Sequence, residues 1–404
     1  MKKIFKCNEK YFEGLNKKSK GKVTLIVEKP IINDRGFSVV LEEQKEKFNL
    51  HVDSNDSDVK ISFEQIAYMI AALVQQKYSF IHFKFEISRQ ALKDISEKTK
   101  AKIKADKINE KEYSLTRDKL SLNLSGGIDS ATLYKLCPDL VPVSINFDTP
   151  SIEEKFEKKI HTKLGGNIIE TNASEFLFPH FSNGYSNLAS LFFADKKGIG
   201  YAVDGKLMSD CLETWDYISG KKFTPFQPHE RESFYGVNIL YPFLGFTKAG
   251  VYKLLYNLDP TLYNEVMEEW LKALPMKSTA RIRLLLDAVI TGKVRKVELE
   301  KFANTPYNFS RMYEYYLVKK LGIQETSKYI ENIPEIEVLT LLEGMSMDFM
   351  EKYDREMLQY LPEKFRAYFE KQLKKAGVEF YSEQDYKERL ILLKSMENNF
   401  FDLQ

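Results

Sequence analysis

Leu122-Asn123-Leu124-Ser125-Gly126-Gly127-Ile128-Asp129-Ser130 decides how this chain is read. The apolar run Leu120–Leu124 predicts a short strand, and Ile128–Leu136 is compatible with a helix. The two glycines between them let the backbone turn tightly. In such a turn successive N–H groups converge on one anion, and the Ser125 and Ser130 hydroxyls add donors. The following helix aims its free N–H groups and positive dipole end at the same point. The segment reads as a pyrophosphate cradle. The plainer reading is a strand-turn-helix junction with a capping Ser or Asp; the five fixed positions, placed after a strand and before a helix, favour the cradle. The loop has neither the Gly-Lys-Ser/Thr ending of a Walker A motif nor a G-x-G-x-x-G pattern, which sets aside kinase-like and NAD-binding readings.

Working outward, Val141–Phe147, Asn167–Thr171 and Ile199–Val203 predict further strands, with helices over Ile152–Leu164 and Ser186–Lys197. This alternation defines an α/β fold, a parallel sheet flanked by helices, with ligands beyond the carboxyl ends of its strands. Residues 1–115 predict an N-terminal α+β domain with strands at Val23–Glu28, Phe37–Leu41, Phe48–Val52, Val59–Phe63 and Ser79–Ile87, and a buried helix over Gln65–Gln76. Its charged end, Ser88–Glu112, reads as a solvated helical connector and not a nucleic-acid arm, because acids are interspersed with the lysines. Residues 116–258 predict the domain that carries the glycine turn and this strand-helix alternation. Residues 259–404 predict a C-terminal helical domain, with Ala249–Tyr256 leading into it and Tyr263–Ala273, Thr279–Ile290, Ser310–Leu321 and Lys364–Ala376 within it.

Of the 404 residues 43% are hydrophobic and 29% charged, within the range of a folded globular chain. Sixty basic residues stand against 58 acidic ones, so no overall field draws the protein to nucleic acid or an anionic membrane. No apolar run approaches the roughly 18 residues of a membrane span, and charges interrupt the N-terminus before signal-peptide length. A cytoplasmic location is expected. Cys7, Cys137 and Cys211 are too scattered for a disulfide framework or a zinc site, and read as reduced packing residues. Pro228–Glu232, with His229 and Arg231, reads as a surface loop. Tyr313, Tyr315 and Tyr316 with Lys319 and Lys320 read as helical core plus a solvated face rather than a base-stacking surface.

The Ser-Gly-Gly-x-Asp-Ser run at this junction resembles the signature of the PP-loop ATP pyrophosphatases, an adenine nucleotide alpha hydrolase-like superfamily with a HUP-like fold. The resemblance implies ATP and Mg²⁺ as cofactors, with Ser125, Gly126, Gly127, Asp129 and Ser130 on the β- and γ-phosphates. It further implies that Asp129 helps bind the metal and that Asn146-Phe147-Asp148 lies against the adenosine. Later residues resemble the 7-cyano-7-deazaguanine synthase (queuosine synthase-like) branch: Asn183 before a helix, Asp204-Gly205 after the fourth strand, Asp210, Asp216, and Pro242 leading to Lys248-Ala249. That likeness implies substrate-binding roles for Asn183, Asp210 and Asp216, nucleotide contact at Gly205, and a catalytic role for Lys248 beside Asp129. Read from chemistry alone, Gly205 permits close approach of a ligand, the two aspartates can hold Mg²⁺ or accept substrate N–H groups, and Lys248 can pair with phosphate; solvated loop acids and a helix N-terminal lysine serve equally well.

The likeness covers roughly residues 118–258 and has departures. The branch's four zinc cysteines have no counterpart after Leu258, so no zinc is expected. Thr214, Trp215 and Tyr217 stand where the branch has Tyr, Pro and Cys, and Ser182 where it has Arg. The resemblance thus implies an AMP-forming carbon–nitrogen ligase with changed small-molecule specificity. Position 2 is Lys, where glutamine-dependent members carry Cys, so ammonia or an amine is the expected nitrogen donor. Two alternatives stay open: a PP-loop component that modifies or senses a polypeptide partner, and a tRNA-thiolating enzyme, which usually shows a cysteine pair or a basic surface. A small-molecule or polypeptide substrate is expected, with a protein partner or homodimer compatible, and no nucleic acid or membrane.

Overall fold

The computed structural model describes residues 23–401 apart from 75–76, 111–116, 151, 178–186, 208–232, 274–279, 296–307, 331–332 and 334. Its strands are β1 (Thr24–Val27), β2 (Ile31–Ile32), β3 (Gly36–Glu43), β4 (Glu46–Ser54), β5 (Phe80–Ser88), β6 (Lys102–Asn109), β7 (Lys119–Asn123), β8 (Val141–Phe147), β9 (Asn167–Thr171), β10 (Ile199–Val203) and β11 (Asn238–Leu240). The alternating middle of the sequence builds five parallel strands in the spatial order β9-β8-β7-β10-β11. After β7 the chain moves to β8 on one side, and after β10 to β11 on the other. A crevice therefore opens between the carboxyl ends of β7 and β10.

The free edge of β9 is taken by β4, antiparallel, with Val52 opposite Thr171. From β4 the sheet continues through β3, β1 and β5 to β6, with β2 a short flap on β3. The N-terminal strands and the strands around the glycine loop thus share one mixed sheet, of eleven strands among the described residues. Asn172 secures the junction: its side-chain oxygen accepts the His51 N–H at 3.0 Å and its amide donates to the Asn49 carbonyl at 2.9 Å.

One face of the sheet carries α1 (Phe63–Val74), α2 (Arg89–Thr99), α5 (Ala173–Leu177), α6 (Leu188–Phe192) and α7 (Ala194–Lys197). α1 is buried nearly all round, Ile66 through Val74 being at most 4% exposed, as befits a helix apolar on every side. The other face carries α3 (Ile128–Leu136), α4 (Ile152–Leu164) and α8 (Lys248–Leu258). The tail adds α9 (Pro260–Ala273), α10 (Ala280–Thr291), α11 (Asn308–Leu321), α12 (Ile323–Thr326), α13 (Glu335–Leu342), α14 (Glu363–Lys375) and α15 (Glu383–Phe401), continuing that second core. Here α8 packs on α3, and α9 packs on α4. Tyr313, Tyr315 and Tyr316 are buried in this core, and Lys320 pairs with Asp348 and Glu351 at 2.7 and 3.0 Å, so this aromatic run is interior. No described helix is long and apolar enough to cross a membrane.

Three expectations need correction. Val59–Phe63 is not a strand: Val59 and Ile61 are buried, but the Ser62 hydroxyl accepts the Gln65 N–H at 3.1 Å and helix α1 begins at Phe63. Ser88–Glu112 is not wholly helical. Ser88 caps α2 by accepting the Ala91 N–H, Lys100 turns at a φ of 58°, and the chain returns as β6, parallel to β5. β6 is an outer strand, and lysines on such an edge discourage further pairing while hiding the strand in a charged composition. Ser186–Lys197 is not one helix. It breaks around Phe193, where the Gln65 side chain donates to the Leu191 and Phe192 carbonyls at 2.7 and 2.9 Å and satisfies acceptors the break releases.

Asn172→Ala is expected to lower stability by about 1–2 kcal/mol through the two lost junction bonds. Urea unfolding checks this: an unchanged midpoint would show that Asn172 does not secure β4 against β9.

Candidate functional site

The glycine loop leaves β7 at Leu124, whose N–H donates to the Val143 carbonyl of β8 at 2.8 Å. Gly126 adopts a φ of +101°, and a Cβ there would lie 2.2 Å from the carbonyl oxygen of Glu157 on α4. Glycine is therefore required twice over at 126, by conformation and by space. Gly127 is the N-cap of α3, has no side chain to cap with, and no capping bond forms there. The start of α3 is thus without a side-chain cap, and the positive end of its dipole points out of the turn. The serines organise the turn. Ser130 Oγ accepts the Gly126 N–H at 3.2 Å and lies 3.1 Å from Ser125 Oγ, which accepts the Gly127 N–H at 3.3 Å. Ser125 is exposed and Ser130 buried.

Asp129, in the first turn of α3, is half-buried, with Lys248 Nζ 3.7 Å from its carboxylate. Lys248 opens α8, and its N–H donates to the Tyr313 hydroxyl of α11 at 2.9 Å, so the helical tail reaches the site. Gly205 follows β10 and faces the same aspartate: a Cβ at 205 would stand 2.9 Å from the Asp129 Cβ. The neighbour that demands glycine there is Asp129 itself. The ends of β7 and β10 thus meet at Asp129, within the crevice that the strand order opens.

At the end of β8 the expected adenosine contacts divide. Asn146 is buried and faces His161 of α4, whose Nε2 lies 2.9 Å from the Asn146 side-chain oxygen while Nδ1 donates to the Ser125 carbonyl at 2.9 Å. Burial holds the His161 pKa below the usual imidazole value, so the ring is neutral and its Nδ1 carries the proton. Nε2 is then an acceptor, and the Asn146 amide satisfies it with its nitrogen after a half-turn about its last torsion. Phe147 is half-buried, and Asp148 is exposed with His51 of β4 3.2 Å from its carboxylate.

Glu157 and His161 lie four apart on α4, so both face the loop. Neither belongs to the contiguous motif; the i, i+4 spacing on the helix that follows β8 is the signal that identifies them. Burial pushes the Glu157 carboxyl up to about 7, the Glu154 and Asp129 charges add to the shift, and Arg283 of α10 opposes it. Gly126, Gly127, Phe156, Glu157, Ile160, Val266, Glu269 and Trp270 line a recess of about 10 Å³, room for roughly one water. The recess is too small to take a diphosphate.

Asn183, Asp210 and Asp216 lie outside the described residues, as do Cys7, Cys211, His229 and Arg231. Cys137 is buried, and burial pushes its thiol up to about 12, as suits a packing residue. Among the described residues no three His, Cys, Asp or Glu side chains converge as a metal cluster. Asp129 still suits Mg²⁺, which keeps several waters, takes phosphate oxygens and needs only one or two carboxylates. Compared with known protein families, curated proteins and solved structures, the chain matches none.

The Glu157 shift carries a pH dependence. Between its ordinary value of 4.5 and about 7 the folded chain holds a proton that the unfolded chain does not. Its stabilising contribution is therefore full below 4.5 and is lost as pH rises through 7. Relative to Glu157→Gln, the wild type is expected to lose on the order of 2–3 kcal/mol between pH 5 and pH 8. Parallel stability-versus-pH curves for the two proteins, from urea unfolding, would refute this.

Proposed function

We propose that the chain is an AMP-forming ligase of the PP-loop ATP pyrophosphatase kind, deazaguanine synthase-like in its adenylation chemistry, which activates a carboxylate or amide for attack by ammonia or an amine. The observation that carries this reading is the uncapped start of α3 behind a serine-glycine turn, at the crevice between β7 and β10. Anions bind at such helix starts, and in open parallel sheets ligands bind where the strand order reverses.

In this reading Ser125, Gly126, Gly127 and Ser130 hold the β- and γ-phosphates through N–H and hydroxyl donors. Asp129 is the protein ligand for Mg²⁺, which supplies positive charge to the phosphate oxygens. The adenosine lies over the end of β8, at Phe147 and Asp148. Asn146 acts through His161, holding the Ser125 carbonyl and so the pitch of the loop. Gly205 keeps the β10 end close enough to seat Asp129, and Asn183, Asp210 and Asp216 contact the second substrate.

A substrate oxygen attacks the α-phosphorus, the bond from that phosphorus to the bridging oxygen breaks, and pyrophosphate departs with the electron pair. Loop N–H groups and Lys248 stabilise the charge developing on the leaving group, as donors fixed before the reaction begins. Ammonia or an amine then attacks the activated carbon, loses a proton, and AMP leaves. No covalent enzyme nucleophile is required.

The test is product analysis with ATP, Mg²⁺ and a panel of purine-like and peptide acids or amides. Pyrophosphate and AMP are expected in equal amounts, with ammonium sustaining turnover without glutamine. Asp129→Asn should cost about 10²–10³ in rate. Release of ADP and phosphate alone overturns the proposal.

A further inference from the structure

Thr171, the buried last residue of β9, holds two residues from distant parts of the chain side by side. Its carbonyl accepts the Asp148 N–H at 3.0 Å, and its hydroxyl donates to the His51 carbonyl at 2.6 Å. The Asn172 side chain accepts the His51 N–H at 3.0 Å, so both main-chain groups of His51 are fixed by the end of β9. The result is an exposed carboxylate at the carboxyl end of β8, with His51 Nε2 3.2 Å from one of its oxygens. Among the described residues no other side chain pairs with either.

An exposed ion pair adds little to stability. What gives this one a use is its place in the sheet. β8 lies directly beside β7, with Asn123 opposite Val143, so Asp148 stands three residues beyond the level of Ser125, roughly 10 Å along the strands. A nucleotide whose outer phosphates rest on the Ser125–Ser130 loop can span that distance with its α-phosphate and sugar. In open α/β sheets an acid about 20 residues after the glycine turn, at the end of the next strand, accepts a ribose hydroxyl, and Asp148 has that position. A carboxylate only accepts hydrogen bonds, and it does so at two oxygens. His51 faces one of them and leaves the other to a sugar hydroxyl.

We propose that Asp148 recognises the ribose of the nucleotide by accepting a hydrogen bond from its 2′- or 3′-hydroxyl, and that His51 is a positioning residue that holds the carboxylate for it; this rests on the reading of the Ser125–Ser130 loop as a pyrophosphate cradle. The N-terminal strands thereby become part of the nucleotide site, reaching it across the β4–β9 seam. The site then distinguishes a ribose from a sugar that lacks the hydroxyl Asp148 accepts.

Calorimetric titration of the full chain with Mg·pyrophosphate, Mg·ATP, Mg·2′-deoxy-ATP and Mg·3′-deoxy-ATP tests this. The wild type is expected to bind pyrophosphate, and to bind ATP about tenfold or more tighter than at least one deoxy analogue. Asp148→Ala should bring ATP to within about twofold of that analogue, with pyrophosphate affinity unchanged, which also shows that the variant is folded. His51→Ala should cut the discrimination by about threefold or more, and His51→Gln, which keeps an N–H near the position of Nε2, should restore it. Equal affinity of the wild type for ATP and both analogues, or full discrimination in Asp148→Ala, overturns the inference; with pyrophosphate still bound, the loop reading stands. Full discrimination in His51→Ala, or none regained in His51→Gln, overturns the positioning role of His51. A wild-type chain that binds neither pyrophosphate nor ATP overturns the loop reading and this inference together.

Discussion

The contact on which the site depends is the one between Gly126 and the backbone of α4. The Gly126 Cα sits so close to the Glu157 carbonyl that no side chain fits, and its φ of +101° suits glycine alone. That contact sets how far the turn after β7 can travel before α3 starts, and hence where the α3 N–H groups point. His161, one turn further along α4, grips the Ser125 carbonyl from the same side. The loop is therefore held by a helix that supplies none of the residues in its motif. Gly205 makes the complementary contact from β10, against Asp129. Two glycines thus bring three elements within backbone distance of one another, and the polar groups follow.

The tail is joined to this arrangement through buried polar contacts. The turn before α8 passes under Tyr353, whose hydroxyl donates to the Pro242 carbonyl at 2.9 Å, and the Asp354 N–H donates to the Gly245 carbonyl at 2.9 Å. Asp354 is fully buried and pairs with Arg389 at 2.6 Å and the Tyr386 hydroxyl at 2.7 Å, which ties α15 to the same turn. A buried pair of this kind adds little net stability over an apolar core, but losing one partner strands a charge. Its effect here is to fix the start of α8, and with it Lys248, relative to the sheet.

Much of the central sheet is legible in the sequence because local pattern and final environment agree there. Ile128–Leu136, Val141–Phe147, Ile152–Leu164, Asn167–Thr171 and Ile199–Val203 fold with the bounds their periodicity implies. Where pattern and environment diverge, legibility fails. The β6 lysines give an outer strand the composition of a solvated connector. Phe193 interrupts a helix whose apolar period runs straight through it, because the acceptors exposed by the break are met by Gln65, a residue far away in the chain. The pairing of β4 with β9 leaves no local trace at all. The strand-turn-helix junction at Ser125–Ser130 was readable because its residues are contiguous. Glu157 and His161 were not, since both reach the loop from α4, and Asn146 proves to be committed to His161 and not turned outward.

The β4–β9 seam carries a consequence for biogenesis. The residues that meet across it, His51 and Thr171, stand 120 positions apart. At ordinary rates of translation β4 waits on the order of ten seconds for its partner to leave the ribosome, with a row of unpaired amides open throughout. Contacts this distant in the chain also slow refolding, since the loop must close before the seam rewards it. The nascent N-terminal strands are thus the stage at which this polypeptide is most exposed to mispairing, and the point where chaperone protection matters most.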